Sequence, residues 1–129
     1  ATAFCDYYGY RLPTEWEWQA VADYDGTYIY SCGTTLNMGK VNYLSANPLH
    51  LTDYPYTSPV GYYPAYGYGL CDMSGNASEW TSTYDNGHRV IRGGGFDDDG
   101  TENTFNVSVR NYYSTPDHRY DGGGFRVCR

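Results

Sequence analysis

Past Gly26 the chain loses helical periodicity, and this rules out most of what 129 residues could otherwise fold into. From residue 27 onward Gly, Pro, Asn and Asp interrupt it every few residues. Runs such as "HRVIRGGGF" and "GGGFRVCR" read as short glycine-flanked strands. Helical pattern is confined to the start. In "RLPTEWEWQAVADYDG", Thr14 is placed to cap a helix and Glu17 completes a capping box, while Pro13 precedes it and Gly26 can end it. "ATAFCDYY" reads as the end of an earlier helix. The expectation is one α+β domain over residues 1–129, with one or two short helices, a small antiparallel sheet and long ordered loops.

Such a chain has few aliphatic residues to bury, so its core must draw on aromatics, which make up 19% of it and include 17 Tyr. Its formal net charge of −7 excludes nucleic acid and anionic membrane as partners, because both require a basic face. No apolar run approaches the roughly 20 residues of a membrane span. The chain opens at "ATAFC" without a signal peptide, as a mature form or a part of something longer would. Cys5, Cys32, Cys71 and Cys128 lie too far apart for zinc and include no C-x-x-C pair. With one lysine and abundant tyrosine, an even cysteine count suits an oxidising compartment and two disulfides. Four buried free thiols are the alternative.

Polar and turn-forming residues concentrate in "GYGLCDMSGNASEW" (67–80), fenced by Leu70, Met73 and Trp80. Calcium takes six to eight oxygen ligands from carboxylates and carbonyls. In a kinked extended segment positions 75, 77 and 79 point the same way, Gly75 permits the twist, and Asp72 and Glu79 bring charge from either end. Asp72 and Asn76 as simple turn caps, with Glu79 in water, are the alternative. The "NAS" and "NVS" triplets at 76–78 and 106–108 are formal glycosylation sequons, and "DDD" at 97–99 reads as a solvated acidic face.

Four blocks, "RLPTEWEW", "GYGLCDMSGNASEW", "RVIRGGGF" and "GFRVCR", occur in an order that resembles the sulfatase-modifying-factor (formylglycine-generating-enzyme) family. The resemblance implies a C-type-lectin-like fold, here N-terminally short for the family. It implies calcium held by the side chains of Asp72 and Glu79 and the carbonyls of Gly75 and Ala77. A second calcium would use Asn42, Tyr43 and Asp53. The resemblance pairs Cys5 with Cys128, leaving Cys32 to pair with Cys71. The family's oxidase holds copper with two cysteines, whose positions fall here on Asn103 and Ser108, so that activity is not expected. A related iron-dependent branch uses histidines of a separate domain, and His50, His88 and His118 lack a 2-His-1-carboxylate spacing.

A lectin-like scaffold without catalytic ligands is a platform for binding. Residues 97–121, rich in Tyr, Asn, Ser, Thr and Asp, have the composition of adaptable recognition surfaces. Tyr112, Tyr113, Arg119 and Tyr120 are their expected contacts. The sequence thus points to an extracellular or cell-surface domain that binds protein or glycan. A structural subunit self-assembling into a surface layer or fibre, and a cryptic enzyme of the same family, are the alternatives.

Overall fold

The structure, a computed structural model, describes residues 1–44, 46–100, 103–113, 115 and 117–129, with Tyr112 and Tyr113 described by their backbone. Two helices open the chain. Helix α1 spans Thr2–Tyr8 and stops at Gly9, whose left-handed φ of 71° directs its N–H to the Cys5 carbonyl. Helix α2 spans Glu15–Ala22 under the capping box: Thr14 accepts from the Glu17 N–H while Glu17 returns to the Thr14 N–H. The helix ends at Ala22, earlier than Gly26. Asp23 keeps one last bond to the Gln19 carbonyl and Tyr24 then turns left-handed at φ 61°. Trp18 and Ala22 face the core, whereas Trp16 lies outside under the Arg110 guanidinium.

Four strands form one sheet, β1 (Ser78–Asp85), β2 (His88–Arg92), β3 (Asn111–Tyr113) and β4 (Gly123–Phe125), in the order β3-β2-β1-β4. The hairpin β1–β2 and the pair β2–β3 are antiparallel, while β4 returns parallel to β1 with Trp80 opposite Phe125. Strands β2 and β4 are the glycine-flanked runs of the sequence. Strands β1 and β3 were not legible there, because "SEWTSTYD" alternates no clear apolar set and "NYY" sits inside a polar segment.

The apolar core is small: Trp18, Ala22, Met73 and Val107 with Val21 and Leu70 packed on it, and Phe96 and Phe105 fully buried. Gly93 lies so close that a Cβ would stand 2.9 Å from the Met73 carbonyl oxygen and 3.2 Å from the Trp18 ring. Buried charge supplements this core. Glu15 and Arg92 are both inaccessible and paired at 3.3 Å, Arg110 also binds Glu15, and Arg92 donates to the Val107 and Val109 carbonyls.

All four cysteines carry free thiols, so neither expected disulfide is formed. At the chain ends the connection is made by backbone: the Cys128 N–H and C=O pair with Arg11 at 2.8 and 2.9 Å. Cys32 lies buried 3.5 Å from the Thr35 carbonyl, and burial pushes its thiol pKa up, which keeps it protonated.

Two predictions follow from these pairs. Glu15→Ala leaves Arg92 buried without its carboxylate and should cost about 3–5 kcal/mol in urea unfolding, with Glu15→Gln costing less. Glu17, bound by Arg11 and by Thr14, has its pKa lowered from 4.5 to about 2. Its contribution is complete above pH 4.5 and lost as pH falls toward 2, so Glu17→Gln should flatten that stretch of the acid melting profile.

Candidate functional site

The central loop is pinned from three sides. Gly75 adopts φ +77°, and a Cβ there would meet Val41 at 2.4 Å and the Asn42 carbonyl oxygen at 2.5 Å, so both backbone and space require glycine. Its N–H reaches the Gly93 carbonyl, and the Asn76 N–H reaches that of Asn42. The buried Asn76 side chain accepts from the Ser58 N–H at 2.8 Å and from Asn42 Nδ2 at 3.2 Å, and donates to the Ser58 carbonyl at 3.0 Å. Fully engaged, it has no room for a glycan. At the second sequon Asn106 accepts from the Ser108 N–H and hydroxyl.

Glu79 is the loop's charged end and it is buried. One oxygen accepts from the Trp18 indole at 2.5 Å, and Arg126 grips both, through Nε at 2.6 Å and Nη2 at 2.5 Å. Arg126 also donates to the Cys71 carbonyl. Burial works against its charge, but Glu79 and then Asp72 outweigh that and hold its pKa above the ordinary value. Asp72, left-handed at φ 55°, accepts from the Gly61 N–H at 3.3 Å, and desolvation raises its pKa. Among the residues expected to hold calcium, Glu79 therefore already has a cation at hand. Asn42 differs: its Oδ1 is buried with no hydrogen-bond partner, while its Nδ2 is satisfied by Tyr56 and Asn76. A buried oxygen without a partner is the kind of group that a hard cation can satisfy, while the Tyr43 carbonyl accepts from the Ala46 N–H at 3.0 Å. Asp53 is exposed nearby in sequence.

The described residues of the 97–121 excursion do not form one surface. Thr104, Phe105 and Val107 are buried, with Asn103–Phe105 in a 3-10 turn, so this part belongs to the core. Tyr112 and Tyr113 fall on β3, at one edge of the sheet, and their side chains lie outside the described residues. Arg119 and Tyr120 stand by β4, at the other edge. They line a cleft of about 480 Å³ whose floor includes Trp80, Arg89 and Phe125. Tyr120 is anchored there, its ring 2.6 Å from where a Gly122 Cβ would stand. Arg119 is exposed. Sequence reading missed Trp80 and Arg89 as cleft residues; Trp80 was legible as the neighbour of an inward-facing Glu79 once β1 was known to be a strand. His50, His88 and His118 are all exposed, on separate segments.

Asn76→Ala would strand the Ser58 N–H and carbonyl and the Asn42 amide in the interior. We expect a loss of about 2–4 kcal/mol in chemical denaturation, with Ser58→Ala costing clearly less.

Comparison with known proteins agrees with this geometry. All of residues 1–129 match the sulfatase-modifying factor enzyme 1-like domain. The chain is 41% identical over 93 residues to the formylglycine-generating enzyme of Mycobacterium tuberculosis, covering 64% of this chain and 30% of that protein. It is 33% identical over 142 aligned positions to inactive C-alpha-formylglycine-generating enzyme 2 of Bos taurus, covering 99% of this chain and 46% of that protein. Among solved structures, Treponema denticola variable protein 1 superposes with a TM-score of 0.73 at 25% identity, over 92% of this chain and 46% of that one. The chain thus spans less than half the length of these relatives. Matched from end to end, it belongs to the sulfatase-modifying factor enzyme 1-like family, with its C-type-lectin-like fold.

Proposed function

We propose that this domain is a non-catalytic binding module of the cell exterior or surface, recognising protein or glycan at the cleft that ends the 97–121 excursion. The cleft carries the reading: about 480 Å³, floored by Trp80 and Phe125, with Arg119 and Tyr120 in its wall. Where the family resemblance sets copper thiolates, this chain has the exposed amide and hydroxyl side chains of Asn103 and Ser108, which do not hold copper(I). Among the described residues no three His, Cys, Asp or Glu side chains cluster as a catalytic transition metal would need. A relative named inactive and a structural neighbour named a variable protein are in keeping with a binding role. The exterior location rests on composition, lysine-poor and tyrosine-rich.

Calcium in this reading is a brace. The Asp72, Gly75, Ala77 and Glu79 set would share Glu79 with Arg126, so the orphan Asn42 Oδ1, with Tyr43 and Asp53, is the place where an added cation gains most. Self-assembly is the second reading, favoured by the exposed rings of Phe4, Tyr7, Tyr8 and Phe125, which touch one another on one face.

Incubated with copper, oxygen and a sulfatase-type cysteine peptide, the protein should leave the peptide unmodified; aldehyde formation would restore the enzyme reading. Peptide and glycan arrays, followed by hydrogen exchange on the hits, should show protection over 117–125. Hits that protect other segments alone would remove the cleft from consideration. Millimolar calcium should raise the melting temperature by mass action on the folded form. Asp53→Asn, an exposed change, should abolish that response, and a melting curve indifferent to chelator would exclude the brace.

A further inference from the structure

We infer that the cleft docks an acidic polypeptide segment in extended conformation, hydrogen-bonded along the outer edge of β4. This rests on the binding reading above and names its partner class.

The edge is open. In a parallel ladder, alternate residues turn both backbone groups toward the neighbour. The Ser78 N–H bonds to the Gly122 carbonyl, so Gly124 and Arg126 face β1, and Gly123 and Phe125 face away. The Gly123 N–H folds back to the Tyr120 carbonyl. Among the described residues nothing takes the Gly123 carbonyl or the Phe125 N–H and C=O. Residues 11–13 leave this edge uncovered: Arg11 pairs with Cys128 and the Pro13 carbonyl takes the Ser82 N–H, which places them on the β1 side. Strand β4 is short, three residues, but two of them are glycine and none is charged or proline, so neither charge nor a missing N–H blocks its edge. Such an edge accepts an added strand.

Charge selects the strand. In a chain of net charge −7, almost every cation is already committed. Arg92 and Arg110 serve Glu15, Arg126 serves Glu79, and Arg11 serves Glu17. Arg89 donates to the Ser82 carbonyl and lies over Tyr84, Arg129 lies over Tyr10 and Lys40 over Tyr66. Arg119, exposed in the cleft wall with Asp117 as its acidic neighbour, is the one Arg or Lys side chain that donates no hydrogen bond and stacks on no ring among the described residues. Asp117 is the single acid in the lining, and its carboxylate is engaged first by the Thr115 hydroxyl. A carboxylate entering the cleft finds Arg119 with Arg89 and His118 beside it. Apolar side chains of the same segment find Trp80 and Phe125, cross-ladder partners whose rings share one face of the sheet. An acidic glycan offers no regular ladder of amides and carbonyls to the edge, and a second copy of this chain is separated from a peptide partner by the dimer outcome of the test below.

The probe is a fluorescein-labelled octapeptide of alternating Val and Glu, with a Val/Lys counterpart and two N-methylated versions offset by one residue. The Val/Glu peptide should bind. The Val/Lys peptide, one of the two N-methylated forms and Arg119→Glu should each weaken binding about tenfold or more, while Arg119→Lys retains most of it and both variants melt with the wild type. Indifference to Arg119→Glu, equal binding of both N-methylated forms, preference for oligogalacturonate, or a dimer that the peptide does not dissociate would overturn the inference. If array ligands protect 117–125 but the Val/Glu peptide does not bind, this inference alone falls. If no ligand protects that segment, the binding reading falls with it.

Discussion

The buried carboxylate of Glu79 ties together helix, central hairpin and terminal strand. It accepts from Trp18 on α2, sits on β1, and holds Arg126 beyond β4, whose guanidinium extends to the Cys71 carbonyl. Removing the carboxylate would leave an indole N–H and a guanidinium facing each other in the interior. Hydrogen bonds to charged groups contribute more than neutral ones, and in a water-poor site their loss is costly. Helix, central hairpin and terminal strand are thereby fixed relative to one another by one side chain.

A second buried carboxylate repeats the device on the same face of the hairpin, where Arg92 is the cross-strand partner of Glu79. Glu15, at the start of α2, binds Arg92 from β2 and Arg110 ahead of β3. Buried ion pairs are poor sources of net stability, because desolvation offsets most of the attraction, yet breaking one partner is severe. This suits a domain whose apolar core is small and whose β3 and β4 have three residues each. Hydrophobic burial drives collapse; the charged pairs discriminate between ways of collapsing, since any other packing would strand them.

That rigidity bears on function. The cleft lies on the face of the sheet opposite Glu79, because Trp80 follows it on a strand and points the other way. The scaffold braces the floor, and the 117–120 segment forms the wall.

The α2 capping box, the glycine-flanked β2 and β4, and the loop-rich family scaffold were legible in the sequence, because each depends on residues close to one another along the chain or on a distinctive motif. The exposure of Arg119 was legible from composition, whereas Tyr120 is half-buried against Gly122. Other features were not. Glu15 and Arg92 are 77 positions apart, and no local pattern marks either as buried. Phe105 and Val107 sit in a polar run and only packing showed them to be core. The grouping of Tyr112 and Tyr113 with Arg119 and Tyr120 failed because β3 and β4 occupy opposite edges of the sheet, an order that strand pairing alone decides. Local chemistry thus set the turns, caps and glycine positions by itself. Which charges meet, which edge stays open and which surface surrounds Arg119 were decided by tertiary structure, since each depends on segments brought together from far apart in the chain.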